Sequence, residues 1–163
     1  MTDSRKPVFL VIGAGAGIGA NAALRFAAGG YHAVMARRSD EAGLARWVEA
    51  IEAAGGSASG TLLNAAEDGA IEELVERTER DIGPIHAALY NLGAQIGNRA
   101  LDQTPHRIFE LGWRLGTYGV LRFGLQLFPE AWAKLAPVLA IWAAISLLYG
   151  SLTAIAQTDM KRK

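Results

Sequence analysis

A chain of 163 residues is long enough for about one domain. Its formal net charge of zero excludes an overall positive field of the kind that attracts nucleic acid. The absence of cysteine excludes disulfides, thiolate metal sites and a cysteine nucleophile. The charge is unevenly spread, since residues 1–110 carry 10 Lys/Arg and 14 Asp/Glu whereas residues 111–163 carry 6 and 2. This shift predicts a boundary between two different segments.

The first 110 residues alternate between strand and helix patterns. Short apolar runs rich in β-branched residues predict buried strands, and alanine-rich or amphipathic runs predict helices. The predicted order is strand 8–12, helix 20–28, strand 31–36, helix 41–54, strand 59–63, helix 70–80 and strand 85–90. This alternation predicts an α/β fold, a partial Rossmann doubly wound parallel sheet of about four strands.

A glycine-rich loop follows the first predicted strand and carries Gly13, Gly15, Gly17 and Gly19. A pyrophosphate needs bare backbone close by, together with the unpaired N–H groups and positive dipole end of a helix. The loop lies between a predicted strand and a predicted helix, which is the context that such a site requires. It therefore predicts a dinucleotide phosphate site, with a tight turn that binds nothing as the alternative.

The spacing of these glycines resembles that of the short-chain dehydrogenase/reductase family, whose motif is Thr-Gly-x-x-x-Gly-Ile-Gly. Ile18 matches the motif, and Ile12 replaces its Thr. Asn64 stands where the family has an Asp that hydrogen-bonds adenine, and Asn91 and Gly93 match the family's Asn-Asn-Ala-Gly segment. The resemblance covers about residues 7–115. It implies that an NAD(P) cofactor is contacted by the four loop glycines and by Ile18, Asn64, Asn91 and Gly93.

Arg37 and Arg38 follow the second predicted strand, where members of that family that prefer NAD have an acidic residue. A guanidinium group pairs well with a phosphate, whereas a carboxylate would repel it. The two arginines therefore predict NADP(H) as the cofactor, with NAD less favoured. Two solvated surface arginines are the alternative.

The family's catalytic residues are missing from this sequence. The family reduces carbonyls with a Ser and a Tyr-x-x-x-Lys set, in which the Lys lowers the pKa of the Tyr. The residues four positions after the four tyrosines are Met35, Ala94, Arg122 and Thr153. Gly116 stands where the resemblance implies an active-site Asn. We therefore predict a truncated cofactor-binding half without catalytic residues, and also no metal site, because the three histidines share no ligand spacing.

The last 50 residues resemble a different family, subunit M of the proton-pumping NADH–quinone oxidoreductase. The resemblance is carried by Tyr-Gly-Val-Leu-Arg-Phe at 118–123, Leu-Phe-Pro at 127–129 and Ala-Gln-Thr-Asp-Met-Lys-Arg at 156–162. It implies that Lys161 matches a proton-transfer lysine, although here we expect only a terminal cation. Residues 114–119 suit both resemblances. We therefore predict a chimera, with a Rossmann region at 1–114 and a membrane-subunit-like helical segment at 115–163.

Residues 135–158 form an uncharged stretch of 24 residues, and about 20 residues are enough to cross a bilayer. The stretch predicts a transmembrane helix with Pro137 in its first turn, where the missing N–H costs little. The alternative is a buried helix of a soluble domain. Lys161, Arg162 and Lys163 favour a cytoplasmic C-terminus, and we also expect a cytoplasmic Rossmann region anchored to the membrane by this helix.

Overall fold

The computed structural model describes residues 5–93 and 101–156. The chain divides into two compact units, Met1–Leu127 and Phe128–Lys163, which are described separately below. The predicted boundary between residues 114 and 115 concerns the origin of the sequence, and it remains a prediction.

A parallel sheet of four strands forms the centre of the first unit. The strands are β1 (Val8–Ile12), β2 (His32–Arg37), β3 (Ser57–Leu62) and β4 (Ile85–Tyr90), in the order β3-β2-β1-β4. Every neighbouring pair is parallel. This topology confirms the predicted Rossmann sheet.

Helices cover both faces of the sheet. They are α1 (Ile18–Ala28), α2 (Glu41–Ala53) and α3 (Ala70–Asp81). Alternate residues of β1 enter two separate cores, because successive side chains of a strand point to opposite faces. Phe9 and Val11 pack with α1 and α2, whereas Val8, Leu10 and Ile12 pack with α3. Burial on both faces explains why this strand is apolar throughout.

Two strands differ from the sequence prediction at their ends. β2 begins at His32 and extends to Arg37, and β3 begins at Ser57, two residues before the predicted start. The polar residues at the start of β3 belong to the strand because they pair with β2. His32 lies opposite Ser57, and its ring also hydrogen-bonds the side chains of Ser57 and Ser59. Cross-strand bonds of this kind leave no apolar pattern in the sequence.

A helical segment follows a short 3₁₀ turn at Leu101–Gln103 and completes the first unit. It consists of α4 (His106–Trp113), a π-helical turn (Arg114–Tyr118) and α5 (Gly119–Leu127). Phe123 of α5 is only 6% exposed and packs with Ile71, Leu74 and Val75 of α3. The first unit therefore continues past the predicted sequence boundary and includes the Tyr-Gly-Val-Leu-Arg-Phe string.

The described part of the second unit, residues 128–156, contains one long helix, α6 (Pro129–Ala156). Its start corrects the prediction for Pro137, which lies in the helix interior rather than in the first turn and removes one main-chain hydrogen bond there. The span Pro129–Leu152 is long and apolar enough to cross a membrane, and none of its most apolar window is buried. Residues 157–163, including Lys161, lie outside the described part of the chain.

Candidate cofactor-binding site

Two glycines of the phosphate loop are required by close packing of the backbone. Gly13 has φ +95°, and a Cβ placed on it would overlap the carbonyl oxygen of Asn91. A Cβ on Gly19 would lie 2.6 Å from the carbonyl oxygen of Gly13. The loop is also tied to β2, because the N–H of Gly13 donates to the carbonyl of Ala36 over 2.8 Å. These glycines allow the chain to turn sharply from β1 into α1.

The other two glycines face open space. No described atom lies within 4 Å of a Cβ placed on Gly15 or Gly17. Gly17 is the residue before α1, and the side chain of Ile18 is 70% exposed. The N–H groups in the first turn of a helix have no carbonyl partner within that helix. The loop therefore presents bare backbone and helix N–H groups where an anion can approach.

A cleft of about 320 Å³ lies along the carboxyl ends of the strands. Its lining brings together six of the ten predicted cofactor-binding residues: Gly13, Gly15, Arg37, Arg38, Asn64 and Gly93. Gly17, Ile18, Gly19 and Asn91 are not part of the lining. Asn91 instead holds the loop in place, since its N–H donates to Ile12 and its side-chain amide donates to the carbonyl of Gly13 over 3.0 Å.

The two arginines of the cleft differ in their surroundings. The side chain of Arg37 is 21% exposed, and its guanidinium forms an ion pair with the carboxylate of Asp40 at 3.0 Å. Asp40 also caps α2, because its carboxylate accepts the N–H of Gly43 over 2.9 Å. The backbone of Asp40 itself is left-handed, with φ 66°. Arg38 is exposed, and the described residues place no ion-pair partner on it. Arg38 therefore offers the more available positive charge.

Asn64 is engaged locally at the position predicted to contact adenine. Its amide nitrogen donates to the carboxylate of Glu67 over 2.9 Å, and its amide oxygen accepts the N–H of Ala66 over 3.3 Å. A carbonyl oxygen has two lone pairs, so one acceptor site on Asn64 remains.

Sequence reasoning missed the wall that the helical segment gives to this cleft. Leu111 and Leu115 line it, and their spacing of four residues is a helical signal that could have identified them. Tyr90, at the end of β4, donates its hydroxyl hydrogen to the carbonyl of Leu115 over 2.8 Å. Burial raises the pKa of Tyr90 above its ordinary value.

Tyr118 and Arg122 reproduce the Tyr-x-x-x-cation spacing away from the cofactor cleft. The guanidinium of Arg122 donates to the Tyr118 hydroxyl over 2.9 Å and also pairs with Glu72 of α3. Both residues line a separate pocket of about 40 Å³ beside the start of α3. They are therefore not placed to act on a ligand in the cofactor cleft. Among residues 5–93 and 101–156, no group of three His, Asp or Glu side chains is arranged to hold a metal ion.

Comparison with known proteins gives two overlapping family matches. The model of the family described as short chain dehydrogenase matches residues 7–128, about three quarters of the chain. The model described as NADH:quinone oxidoreductase/Mrp antiporter, TM, matches residues 108–163. The two matches overlap in α4, the π-helical turn and α5. This arrangement confirms the two resemblances and fits the predicted chimera.

Solved structures resemble the first part of the chain. A short-chain dehydrogenase from Rhodopseudomonas palustris is 30% identical with a TM-score of 0.71, and the match covers 80% of this chain and 60% of that one. A variant of actinorhodin polyketide ketoreductase, solved with NADPH, is 26% identical with a TM-score of 0.66 over 75% and 46% of the two chains. These likenesses confirm the Rossmann fold.

Curated relatives resemble the second part. NAD(P)H-quinone oxidoreductase chain 4 1 of Synechococcus elongatus is 46% identical over 50 residues, which are 31% of this chain and 9% of that protein. NADH-quinone oxidoreductase subunit M of Mycobacterium tuberculosis is 35% identical over 81 residues, which are 48% and 15% of the two chains. The chain therefore spans 9% of the length of the first relative and 15% of the length of the second.

Proposed function

We propose, from the fact that this chain belongs to the short-chain dehydrogenase family, that its first unit binds an NAD(P) dinucleotide and favours NADP(H). The observation that carries the proposal is the shared cleft. It joins the bare backbone of Gly15 to the guanidinium groups of Arg37 and Arg38 along one edge of the sheet. A dinucleotide needs these two features together, one for its pyrophosphate and one for a 2′-phosphate.

The residues of the cleft fit the parts of such a cofactor. The open backbone at Gly15 and Gly17 admits the pyrophosphate beside the first turn of α1. Arg38 is the principal partner for a 2′-phosphate, because Arg37 is already paired with Asp40. Asn64 has a lone pair left for the adenine. The cofactor, when bound, supplies hydride transfer.

We further propose that the unit binds its cofactor without reducing carbonyls. The supporting observation is the position of Tyr118 and Arg122, which approach the Tyr-x-x-x-Lys pattern but line a different pocket. Cofactor-dependent carbonyl reduction that disappears in Gly19→Trp would disprove this part of the proposal, because that substitution blocks the loop between Gly13 and α1.

The second unit supports a further part of the proposal, namely that α6 anchors the protein in a membrane. None of its most apolar window is buried, which counts against the alternative of a core helix. The likeness of this segment to subunit M also supports a membrane setting. A membrane-embedded fragment of a proton-translocating quinone oxidoreductase is the alternative function for this segment.

A single crossing places the two ends of α6 on opposite sides of the bilayer. Among residues 5–93 and 101–156, α6 is the one helix able to cross a membrane, and a single crossing there is incompatible with both a cytoplasmic Rossmann region and a cytoplasmic tail. We place the Rossmann region in the cytoplasm, where nicotinamide cofactors are available, and the tail on the other side. Arg122 and Lys134 precede the uncharged stretch that begins at Leu135, so the excess of positive charge after that stretch over the charge before it is small.

The test is a titration of the full chain in detergent with NADPH and NADH, followed by cofactor fluorescence. We expect tighter binding of NADPH, and a double change Arg37→Ala and Arg38→Ala should weaken NADPH roughly tenfold or more while sparing NADH. Arg46→Ala, which removes an exposed arginine of α2 outside the cleft, is the matched control. Equal affinity for the two cofactors would overturn the preference.

A further inference from the structure

One face of the helical segment at residues 106–127 is apolar and exposed. We call this face the apolar stripe and define it by five of its residues, which are between 40% and 54% exposed: Phe109, Trp113, Tyr118, Leu121 and Leu125. The opposite face of the segment carries Phe123, which is buried against α3. The segment is therefore two-sided: one side buries Phe123 against α3, whereas the stripe leaves about half of each of its apolar side chains exposed.

The π-helical turn keeps the stripe continuous. Phe109 and Trp113 are four residues apart, as expected for one face of an α-helix. The rings of Trp113 and Tyr118 are five residues apart and still meet edge to face, with centroids 6.0 Å apart, because the wider turn brings them together. Arg122 continues the line, with its guanidinium 5.7 Å from the centre of the Tyr118 ring.

The chemistry of the stripe suits the boundary between lipid acyl chains and headgroups. Trp and Tyr have apolar rings with a polar edge, and they are enriched at that boundary. The two aromatic residues Trp113 and Tyr118 therefore suit this boundary, and the arginines beside them, Arg114 and Arg122, are neutralised by ion pairs with Asp68 and Glu72.

The chain itself keeps this stripe close to a bilayer. A single residue, Phe128, separates the last residue of α5 from the first residue of α6. Only eight residues separate Leu127 from Leu135, where the uncharged stretch begins, and in a helix they extend about 12 Å. If α6 crosses the membrane, the end of α5 therefore remains beside the headgroups.

We propose that the apolar stripe docks on the surface of the bilayer, so that the cofactor cleft is held at a fixed orientation beside the membrane. The occupant of the stripe is lipid, at the level where acyl chains meet headgroups. This inference rests on the proposed membrane anchoring by α6. It does not depend on which nicotinamide cofactor binds, nor on any catalytic step.

The absence of cysteine from the sequence makes a direct test possible. Leu121→Cys and Leu125→Cys are introduced separately into the full chain, spin-labelled and reconstituted in vesicles of phosphatidylcholine and phosphatidylglycerol. Collision rates with oxygen, which enters lipid, and with a nickel chelate, which stays in water, are then compared. Glu49→Cys on the exposed side of α2 is the aqueous control, and Ala144→Cys within α6 reports whether the anchor is in lipid.

We expect the ratio of oxygen to nickel collisions at both stripe positions to be at least about threefold higher than at Glu49→Cys. A ratio equal to that control overturns the docking proposal when Ala144→Cys reports lipid. Spectral broadening between labels on two molecules also overturns it, because a second copy would then cover the stripe. A water-exposed signal at Ala144→Cys refutes the anchor itself, and NADPH titration of the same samples tests the cofactor site independently.

Discussion

The hydroxyl of Tyr90 donates a hydrogen bond to the main-chain carbonyl of Leu115 over 2.8 Å, and thereby joins the end of β4 to the π-helical turn. The ring of Tyr90 also packs against Phe123 of α5, with centroids 5.3 Å apart. These contacts attach the helical segment to the sheet, so that Leu111 and Leu115 form a wall of the cofactor cleft.

Replacing Tyr90 with Phe should weaken this attachment. The change removes the hydroxyl and leaves the carbonyl of Leu115 without its side-chain donor, while the ring contact with Phe123 remains. We expect the free energy of unfolding to fall by about 0.5–1.5 kcal/mol, the usual contribution of one such bond. Urea denaturation followed by circular dichroism measures the change, and an unchanged midpoint would contradict it.

Gly119→Ala should be destabilising for a related reason. A Cβ on Gly119 would overlap the Tyr90 hydroxyl, so the hydroxyl must move and its bond to Leu115 breaks. Combining Gly119→Ala with Tyr90→Phe should cost less than the sum of the two single changes, because the overlapping oxygen is then absent. Gly116→Ala is the control. No described atom lies within 4 Å of its Cβ, so its effect on stability should be neutral or favourable.

The glycine loop predicts a separation between folding and binding. Gly19→Ala should lower the free energy of unfolding by roughly 1–3 kcal/mol, because its Cβ approaches the carbonyl of Gly13. Gly17→Ala meets open space and should cost less than about 1 kcal/mol. Its methyl group nevertheless lies where the pyrophosphate approaches, so NADPH affinity should fall. Full affinity in Gly17→Ala would show that the phosphate binds elsewhere.

Asp40 should limit the affinity for NADPH. Asp40→Asn removes the charge that pairs with Arg37 but keeps an oxygen to cap α2 and tolerates the left-handed conformation. We expect NADPH to bind a few-fold more tightly, in line with the modest strength of exposed ion pairs, and NADH to be unaffected. Asp40→Ala should instead lose about 1 kcal/mol of stability with the cap. Weaker NADPH binding in Asp40→Asn would refute this role.

His32 should make the first unit less stable in mild acid. Burial, and secondarily the positive charge of Lys6, lower the pKa of His32 in the folded protein. The unfolded chain therefore binds a proton more readily, and stability is lost as the pH falls below about 6.5. His32→Gln should flatten the dependence between pH 7 and pH 5 in denaturation experiments, and an unchanged dependence would contradict this role of His32.

Removing α6 should change where the protein is found after cell lysis. The full chain should pellet with membranes and resist carbonate extraction, or form inclusion bodies, because none of the most apolar window of α6 is buried. Deleting residues 130–163 should increase the soluble fraction. A full chain that stays soluble and monomeric at high concentration would remove the main physical support for the membrane assignment.

The sheet could be predicted from the sequence because each apolar strand and each amphipathic helix carries its own periodicity. The glycine loop was predictable because only glycine allows the approach of Gly13 to Asn91. The ion pair between Arg37 and Asp40 was not, since both residues read as ordinary surface charges. Pro137 was misplaced because a proline normally marks a helix start, whereas α6 tolerates it in the interior.

The π-helical turn coincides with residues 114–118, where the two family likenesses overlap. A π turn holds one more residue than an α-helical turn, so it shifts the rotational phase of everything that follows by about 100°. With that extra residue removed, α5 would rotate Phe123 away from α3 and turn a different side of the helix toward solvent. One residue in the turn therefore decides which face of α5 enters the core and which face is left for a partner.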